Sequence, residues 1–427
     1  MQLKFPSTLR ALTILVLCVA GIPLNGFAQV QTPLMISRSQ AGLNAGTVVA
    51  VYPGGSRVYL GESYYTKADR LCLTVFTVND KGQTVGAARH YRDSALPLVV
   101  NARTSITAIF TDARLHKLYL AYILDGSGAG DEKRFVSVYD LDNNGEPVGQ
   151  PHSYVSGNPN RSILGLAVHP RLNVLYMVGW GGTAVYAYQL DAKGEPQGDP
   201  KVFSIGGQGK YQVKVSPDGK RLYLGTYPDL LEVVDLDENG FRTGTPQTFK
   251  AGTEARYLTF GYSPQALFLV QKTPDGDRLA VWPLDAQGDP IGEPKVQGDI
   301  PVSAIAVDVA NSTLWVGADD TFKDAFSGKS IVQGVRPESF PINKDGSLGT
   351  SNNSSPVGFR QWGVALAADN GHVALLTTDM PGGVLGSRVK DYRLRITVQS
   401  AQSAAAGATA KMAFALSVGS SPAQSLG

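Results

Sequence analysis

A chain of 427 residues with 43% hydrophobic, 17% charged and 9% aromatic positions, 48 Gly and 25 Pro has the composition of a turn-rich globular protein with a full core, which excludes disorder and collagen. Its 38 Lys+Arg stand against 36 Asp+Glu, a balance too even for a nucleic-acid binder.

In chain order, Lys4 and Arg10 precede an apolar run over residues 11–24, and Gly26, Phe27 and Ala28 place small residues where a signal peptidase reads. Residues 1–28 are therefore expected to be a signal peptide cut after Ala28, and the protein to be exported, periplasmic or extracellular. The run is shorter than the roughly 18–20 apolar residues of a bilayer span and is broken by Gly21 and Pro23. No later stretch is long enough, so no membrane span is expected. Loss of the leader removes Lys4, Arg10 and Cys18, which brings the charge balance to about zero and leaves Cys72 as a single thiol without an internal disulfide partner.

One unit then repeats. Residues 168–178 (VHPRLNVLYMV) and 215–225 (VSPDGKRLYLG) both read as an alternating strand, a tight turn and a second strand with an aromatic. Tyr59, Tyr119, Phe268 and Trp315 occupy the aromatic place of four further copies, and Ala374 that of a fainter seventh. A second motif follows each hairpin, as in VYDLDNNGEP at 138–147, YQLDAKGEP at 188–196 and VDLDENG at 234–240. Its glycines, Gly82, Gly145, Gly194, Gly240, Gly288 and Gly346, are 63, 49, 46, 48 and 58 residues apart, the period of a four-stranded propeller blade. A β-sandwich has no reason to repeat one sequence seven times. The expected fold is all-β, a seven-bladed β-propeller of four-stranded blades over residues 29–398.

Pro introduces the outer strand of each unit, as at Pro200 and Pro246, and Pro33 introduces a segment of the same form near the N-terminus. The last repeat, ending near Ile396, has no such strand after it. The segment after Pro33 is therefore expected to close the last blade, three strands plus one. Residues 399–427 form an Ala/Ser/Gly-rich tail of linker composition, in which the apolar run 412–418 is expected to be either a short appended strand or the beginning of a further domain.

The runs at 140–145 and 235–240 read D-x-D-x-N-G, the opening of a calcium loop, but Pro151 and Pro246 stand where the bidentate Glu would be. The equivalent turns keep Asp191 and Asp285 but carry Gln189 and Pro283 in place of the first Asp. An Asx-stabilised hairpin turn explains every copy. His90, His116, His152, His169 and His372 have no metal-site spacing, and neither a G-x-S-x-G elbow nor a phosphate or dinucleotide loop is present. No metal or cofactor is implied, and no catalytic residue can be assigned.

In a propeller, the segments before the inner strands and after the second strands share one face. Arg103, Arg161, Lys210, Arg256 and Arg360 precede five inner strands; Glu62, Tyr64, Trp180, Tyr227 and Asp229 follow second strands. Guanidinium groups with aromatics and carboxylates nearby suit a small anion or sugar acid and can support acid–base chemistry. For any one of these residues, ordinary solvated surface is the competing explanation. The expected partner is a protein, a glycan or a small anionic ligand.

The Pro-Asp-Gly-Lys-Arg turn at 217–221, Leu222-Tyr223-Leu224 and the Val-Val-Asp-Leu-Asp strand at 233–237 resemble the YVTN-type repeat of seven-bladed propellers, the superfamily that includes the lactonase (6-phosphogluconolactonase-like) proteins. The resemblance covers residues 29–398. It implies the propeller fold and, for lactonase members, hydrolysis of a lactone. The Asn-Arg-Gly of lactonase relatives is replaced here by GTY at 225–227, VGW at 178–180 and GAD at 317–319, so no family catalytic residue maps onto this chain. No Trp-Asp pair closes a unit as in WD40 repeats. The functional expectation is an exported ligand-binding or protein-interaction module. The alternative is a lactonase-like hydrolase in which Arg161, Arg256 and Arg360 hold a carboxylate or oxyanion and Glu62 or an Asp activates water.

Overall fold

The alternating apolar residues of each repeat form strands in the computed structural model, which describes residues 34–39, 48–52, 56–62, 72–79, 85–92, 103–125, 133–155, 162–180, 182–204, 206, 208–227, 230–251, 260–273, 276–323, 330–352, 365–369, 372–378 and 391–400. All regular secondary structure among them is β. Residues 1–28 and 401–427, and with them the expected leader and nearly all of the tail, lie outside the described residues.

The first strand is β1 (Leu34–Ser39). β2 (Val48–Val51), β3 (Arg57–Glu62), β4 (Cys72–Thr77) and β5 (Arg89–Arg92) follow as one antiparallel sheet. The next sheet contains β6 (Arg103–Asp112), β7 (Lys117–Asp125), β8 (Lys133–Leu141) and β9 (Pro147–Val155). The third contains β10 (Ser162–Val168), β11 (Val174–Trp180), β12 (Ala184–Leu190) and β13 (Pro196–Ser204). The fourth contains β14 (Gln208–Val215), β15 (Arg221–Tyr227), β16 (Leu230–Asp235) and β17 (Gln247–Lys250). β18 (Phe260–Ser263), β19 (Ala266–Thr273), β20 (Gly276–Pro283), β21 (Lys295–Asp308), β22 (Thr313–Lys323) and β23 (Ser330–Pro341) form a six-stranded sheet. The merger arises in β21, which pairs with β20 between Lys295 and Pro301 and with β22 from Val302 to Asp308, so the outer strand of one repeat runs on as the inner strand of the next. β24 (Ala365–Asp369), β25 (His372–Thr378) and β26 (Asp391–Ser400) complete the set, and β1 lies antiparallel beside β26 with Ile36 opposite Leu394.

The sheets stack face to face. Inner strands β2, β6, β10 and β14 pack successively, as do β18 with β21, β21 with β24, and β24 with β2. Each interface is an apolar cluster drawn from two successive sheets: Tyr59 and Val75 meet Ile106 and Leu118, and Tyr119 and Val138 meet Leu166 and Leu175. Further along, Val174 and Tyr176 meet Leu222 and Leu224, Tyr223 and Leu231 meet Leu267 and Leu269, and Phe268 and Val281 meet Leu314 and Val316. Each buried Leu or Val contributes about 1.5–3 kcal/mol, so stability is distributed over the junctions. This stacking of short antiparallel sheets is a β-propeller. Among the described residues, no helix is long and apolar enough to cross a membrane.

Candidate functional site

The two ends of the strands differ, and the turn end carries a recurrent set of side-chain to backbone bonds. In the D-x-D-x-N-G turns the second Asp is spent on the backbone. Asp142 Oδ1 accepts the N–H groups of Asn144 and Glu146, both at 2.8 Å. Asp191 Oδ1 accepts those of Lys193 and Glu195, Asp237 Oδ1 those of Asn239 and Phe241, and Asp285 Oδ1 those of Gln287 and Asp289. These are Asx turns, with Gly145, Gly194, Gly240 and Gly288 at φ between 79° and 89°, the left-handed region that favours glycine. The bonds from Glu146 N–H and Glu195 N–H hold the Asp142 and Asp191 carboxyls below the usual carboxylate range.

Each turn is also a joint. The repeat's tyrosine donates its hydroxyl to the glycine carbonyl of the following sheet: Tyr59 to Gly145 at 2.5 Å, Tyr119 to Gly194 at 2.9 Å, Tyr176 to Gly240 at 2.6 Å and Tyr223 to Gly288 at 2.9 Å. Burial raises all four phenol pKa values. Two residues before the tyrosine stands a cation, and just after the glycine an acid. Arg57 Nε reaches Glu146 Oε2 at 2.9 Å, Lys117 Nζ bonds Glu195, and Arg221 Nη1 reaches Asp289 Oδ1 at 2.7 Å. Outer-strand residues add to the first two joints, with Arg89 and Tyr91 donating to Glu146, and Tyr154 to Glu195 at 2.7 Å. Between the third and fourth sheets the same places hold Val174, Phe241 and, on the outer strand, Phe203, all packed in one apolar cluster. An ion-paired joint and an apolar joint are thus interchangeable solutions in one backbone frame.

At this turn end a cleft of about 850 Å³ opens across the third to fifth sheets, lined by His169, Arg171, Asp218, Lys220, Arg221 and Glu238 among others. His169, one of its lining residues, is buried. Its Nε2 pairs with Gly219 O at 2.8 Å, and its Nδ1 accepts the N–H groups of Arg171 and Leu172, which assigns the proton to Nε2. Burial, with help from Arg171 and Arg114, pushes its pKa down.

The sequence-derived candidates concern the other end. Arg103 opens β6 opposite Asp125 at the end of β7; Glu62 ends β3, Trp180 ends β11 opposite Ser162, and Tyr227 ends β15 opposite Gln208. Four candidates therefore stand at one end of four successive sheets, one in each. Arg103 and Lys210 lie within their strands rather than in the loops before them. Arg161, Arg256, Arg360, Tyr64 and Asp229 lie outside the described residues. Sequence reasoning missed the acid–cation joints and the cleft around His169. The joints had a signal, since a cation two places before the tyrosine and an acid after the glycine disappear together at Val174 and Phe241.

No protein-family model and no curated protein matches the chain. Among solved structures it is similar to a candidate 6-phosphogluconolactonase from Bacteroides uniformis, at 14% identity and TM-score 0.52 over 71% of this chain and 82% of that one. It is also similar to the WD40 repeats of RRP9, at 9% identity and TM-score 0.53 over 86% of this chain and all of that one, and to a chain of the mitotic checkpoint complex, at 11% identity, TM-score 0.50 and 90% coverage. At these identities the likeness establishes the propeller fold and nothing finer.

Proposed function

We propose that this chain is an exported, seven-bladed β-propeller, closed three plus one by β1, that serves as a ligand-binding or protein-interaction module. Support for the closure comes from β1 beside β26 and from the packing of β24 on β2. The observation that carries the binding role is the segregation of the strand ends. One end is consumed by inter-sheet joints, while Glu62, Arg103, Trp180 and Tyr227 share the other. An acid, a cation and two aromatics on one rim supply the hydrogen-bonding and stacking groups that binding faces use. A structural neighbour described as part of the mitotic checkpoint complex supports a protein partner by analogy of fold.

A second reading, a lactone hydrolase, is favoured by the similarity to the Bacteroides protein and by the register that sets Arg103 of β6 opposite Asp125 of β7, a cation and an acid of the types that oxyanion binding and base catalysis use. Proton release from sugar and aliphatic lactones by the purified exported chain separates the two. The module predicts no rate above buffer. Turnover that is lost in Arg103→Ala establishes the hydrolase instead. Mass spectrometry of the exported chain should find Gln29 as its first residue, and an intact leader would refute export by cleavage.

A further inference from the structure

At the turn end, side chains link the inner turns of successive sheets, those between the first and second strand of each, and the link changes between the third sheet and the fourth. In the second sheet Asp112 caps its own turn by accepting Leu115 N–H at 3.1 Å. Arg114 reaches forward to the third sheet's turn, donating to Asn173 Oδ1 at 2.8 Å and Leu172 O at 3.3 Å. One sheet on, register puts His169 and Arg171 in the places of Asp112 and Arg114, and Gly219 and Lys220 in those of Leu172 and Asn173. His169 fills two roles there. Its Nδ1 caps the turn through Leu172 N–H at 3.0 Å, and its Nε2–H donates to Gly219 O at 2.8 Å. Both kinds of acceptor that hold Arg114 are thereby lost to Arg171, one occupied by His169 and the other replaced by the Lys220 ammonium. Among the described residues, neither the Arg171 guanidinium nor the Lys220 ammonium hydrogen-bonds a protein group, and both residues are exposed on the wall of the 850 Å³ cleft.

The fifth sheet gives this cleft its room. Its inner turn, between Ser263 and Ala266, is two residues shorter than the one between Ser216 and Arg221, so the cleft extends to Ala286 and Gln287 on the fifth sheet's outer turn. The acids on its walls are mostly spent. Asp235 pairs with Arg221 Nε at 3.0 Å, and Asp237 Oδ1 receives the Asn239 and Phe241 N–H groups. Asp218 Oδ1 accepts the Ser216 hydroxyl at 2.6 Å and Lys220 N–H at 3.0 Å. Glu238, on the fourth sheet's outer turn, is exposed and its carboxylate bonds no described group. We propose that the cleft binds a zwitterionic short peptide, with its terminal carboxylate on Arg171 and Lys220 and its ammonium on Glu238. Two unspent cations on the inner turns and one unspent acid on an outer turn match a dipolar ligand, whereas a bare anion would face four acids on the same walls. Leu172 and Leu236 supply apolar surface between the charged ends, and the volume lies within the roughly 300–1,000 Å³ of ligand pockets. This site is separate from the rim at the other strand end.

Titration calorimetry of the purified full chain with tetra-alanine tests the site. The free peptide should bind, and blocking its carboxylate as the amide, or its ammonium by acetylation, should each weaken binding about tenfold or more, the worth of a hydrogen-bonded charge. Arg171→Gln with Lys220→Gln should weaken the free peptide to the level of its amide and leave the affinity for the amide unchanged. Glu238→Gln should do the same with respect to the acetylated peptide. Lys193→Gln, on an exposed turn outside the cleft, should change nothing. All four positions are exposed, so the variants should keep the parent's urea midpoint. No binding heat at millimolar tetra-alanine overturns the proposal, as does an amide that the Arg171 and Lys220 changes weaken as much as the free peptide. Inorganic phosphate binding more tightly than tetra-alanine would also overturn it, in favour of a plain anion site.

Discussion

Transplanting the apolar joint into an ion-paired one tests whether the turn-end joints are what couple the sheets. At the junction of the second and third sheets the Lys117 side chain is 3% exposed and that of Glu195 11% exposed. Asp140, the second partner of Lys117 at 2.6 Å, is 61% exposed and adds little. Lys117→Val strips the cation and leaves the Glu195 carboxylate in the junction with the Tyr154 hydroxyl and, at 3.6 Å, the largely exposed His152, a loss of about 3–5 kcal/mol. The triple variant Lys117→Val, Glu195→Phe, Tyr154→Phe copies Val174, Phe241 and Phe203 from the next junction, where Asp237 receives the Phe241 N–H as Asp191 receives that of Glu195. A buried ion pair replaced by well-packed apolar groups is near neutral, so the triple variant should lie within about 1 kcal/mol of the parent. Urea unfolding at constant m reads both values. A single variant indistinguishable from the parent, or a triple variant as unstable as the single, refutes the joint.

Three further outcomes follow from the same geometry. Tyr119→Phe removes the hydroxyl from the buried Gly194 carbonyl and should cost about 1–2 kcal/mol in the same urea assay; no change would mean that the bond adds nothing to the apolar contact. Gly219→Ala places a Cβ 2.3 Å from His169 Cε1 at φ 71°, whereas Gly149→Ala has the same φ with open space around it. Gly149→Ala should cost about 1 kcal/mol and Gly219→Ala clearly more, and equal losses would contradict the packing of His169 on that turn. Because the folded pKa of His169 is depressed, the unfolded chain binds the proton first, so stability is full above the unfolded value of about 6.5 and falls as the pH drops from there toward the folded pKa. His169→Gln should flatten that slope in pH-dependent unfolding, and an unchanged slope would assign it elsewhere.

The repeat was legible because its tyrosine, glycine and turn Asp recur at fixed places in each unit. The Asx turn could be chosen over calcium because Pro151 and Pro246 cannot supply a carboxylate. What the sequence hid is what crosses from one unit to the next. Arg57 meets Glu146 across 89 residues and Lys117 meets Glu195 across 78, separations that no periodicity within a unit reveals. The continuous β21 was equally hidden, since a strand that leaves one sheet and enters the next shows only as an apolar stretch between two turns.

A continuous rim requires a closed ring. In a Cys72→Ser background, Ile36→Cys with Leu394→Cys places two thiols at directly opposed positions of β1 and β26. Such pairs in an antiparallel sheet lie within disulfide reach. Mild oxidation of the purified chain should form this bond within one molecule, and unfolding should move to higher denaturant relative to the reduced form. Thiols that stay free, or that join only between molecules, would contradict a propeller closed by its N-terminal strand.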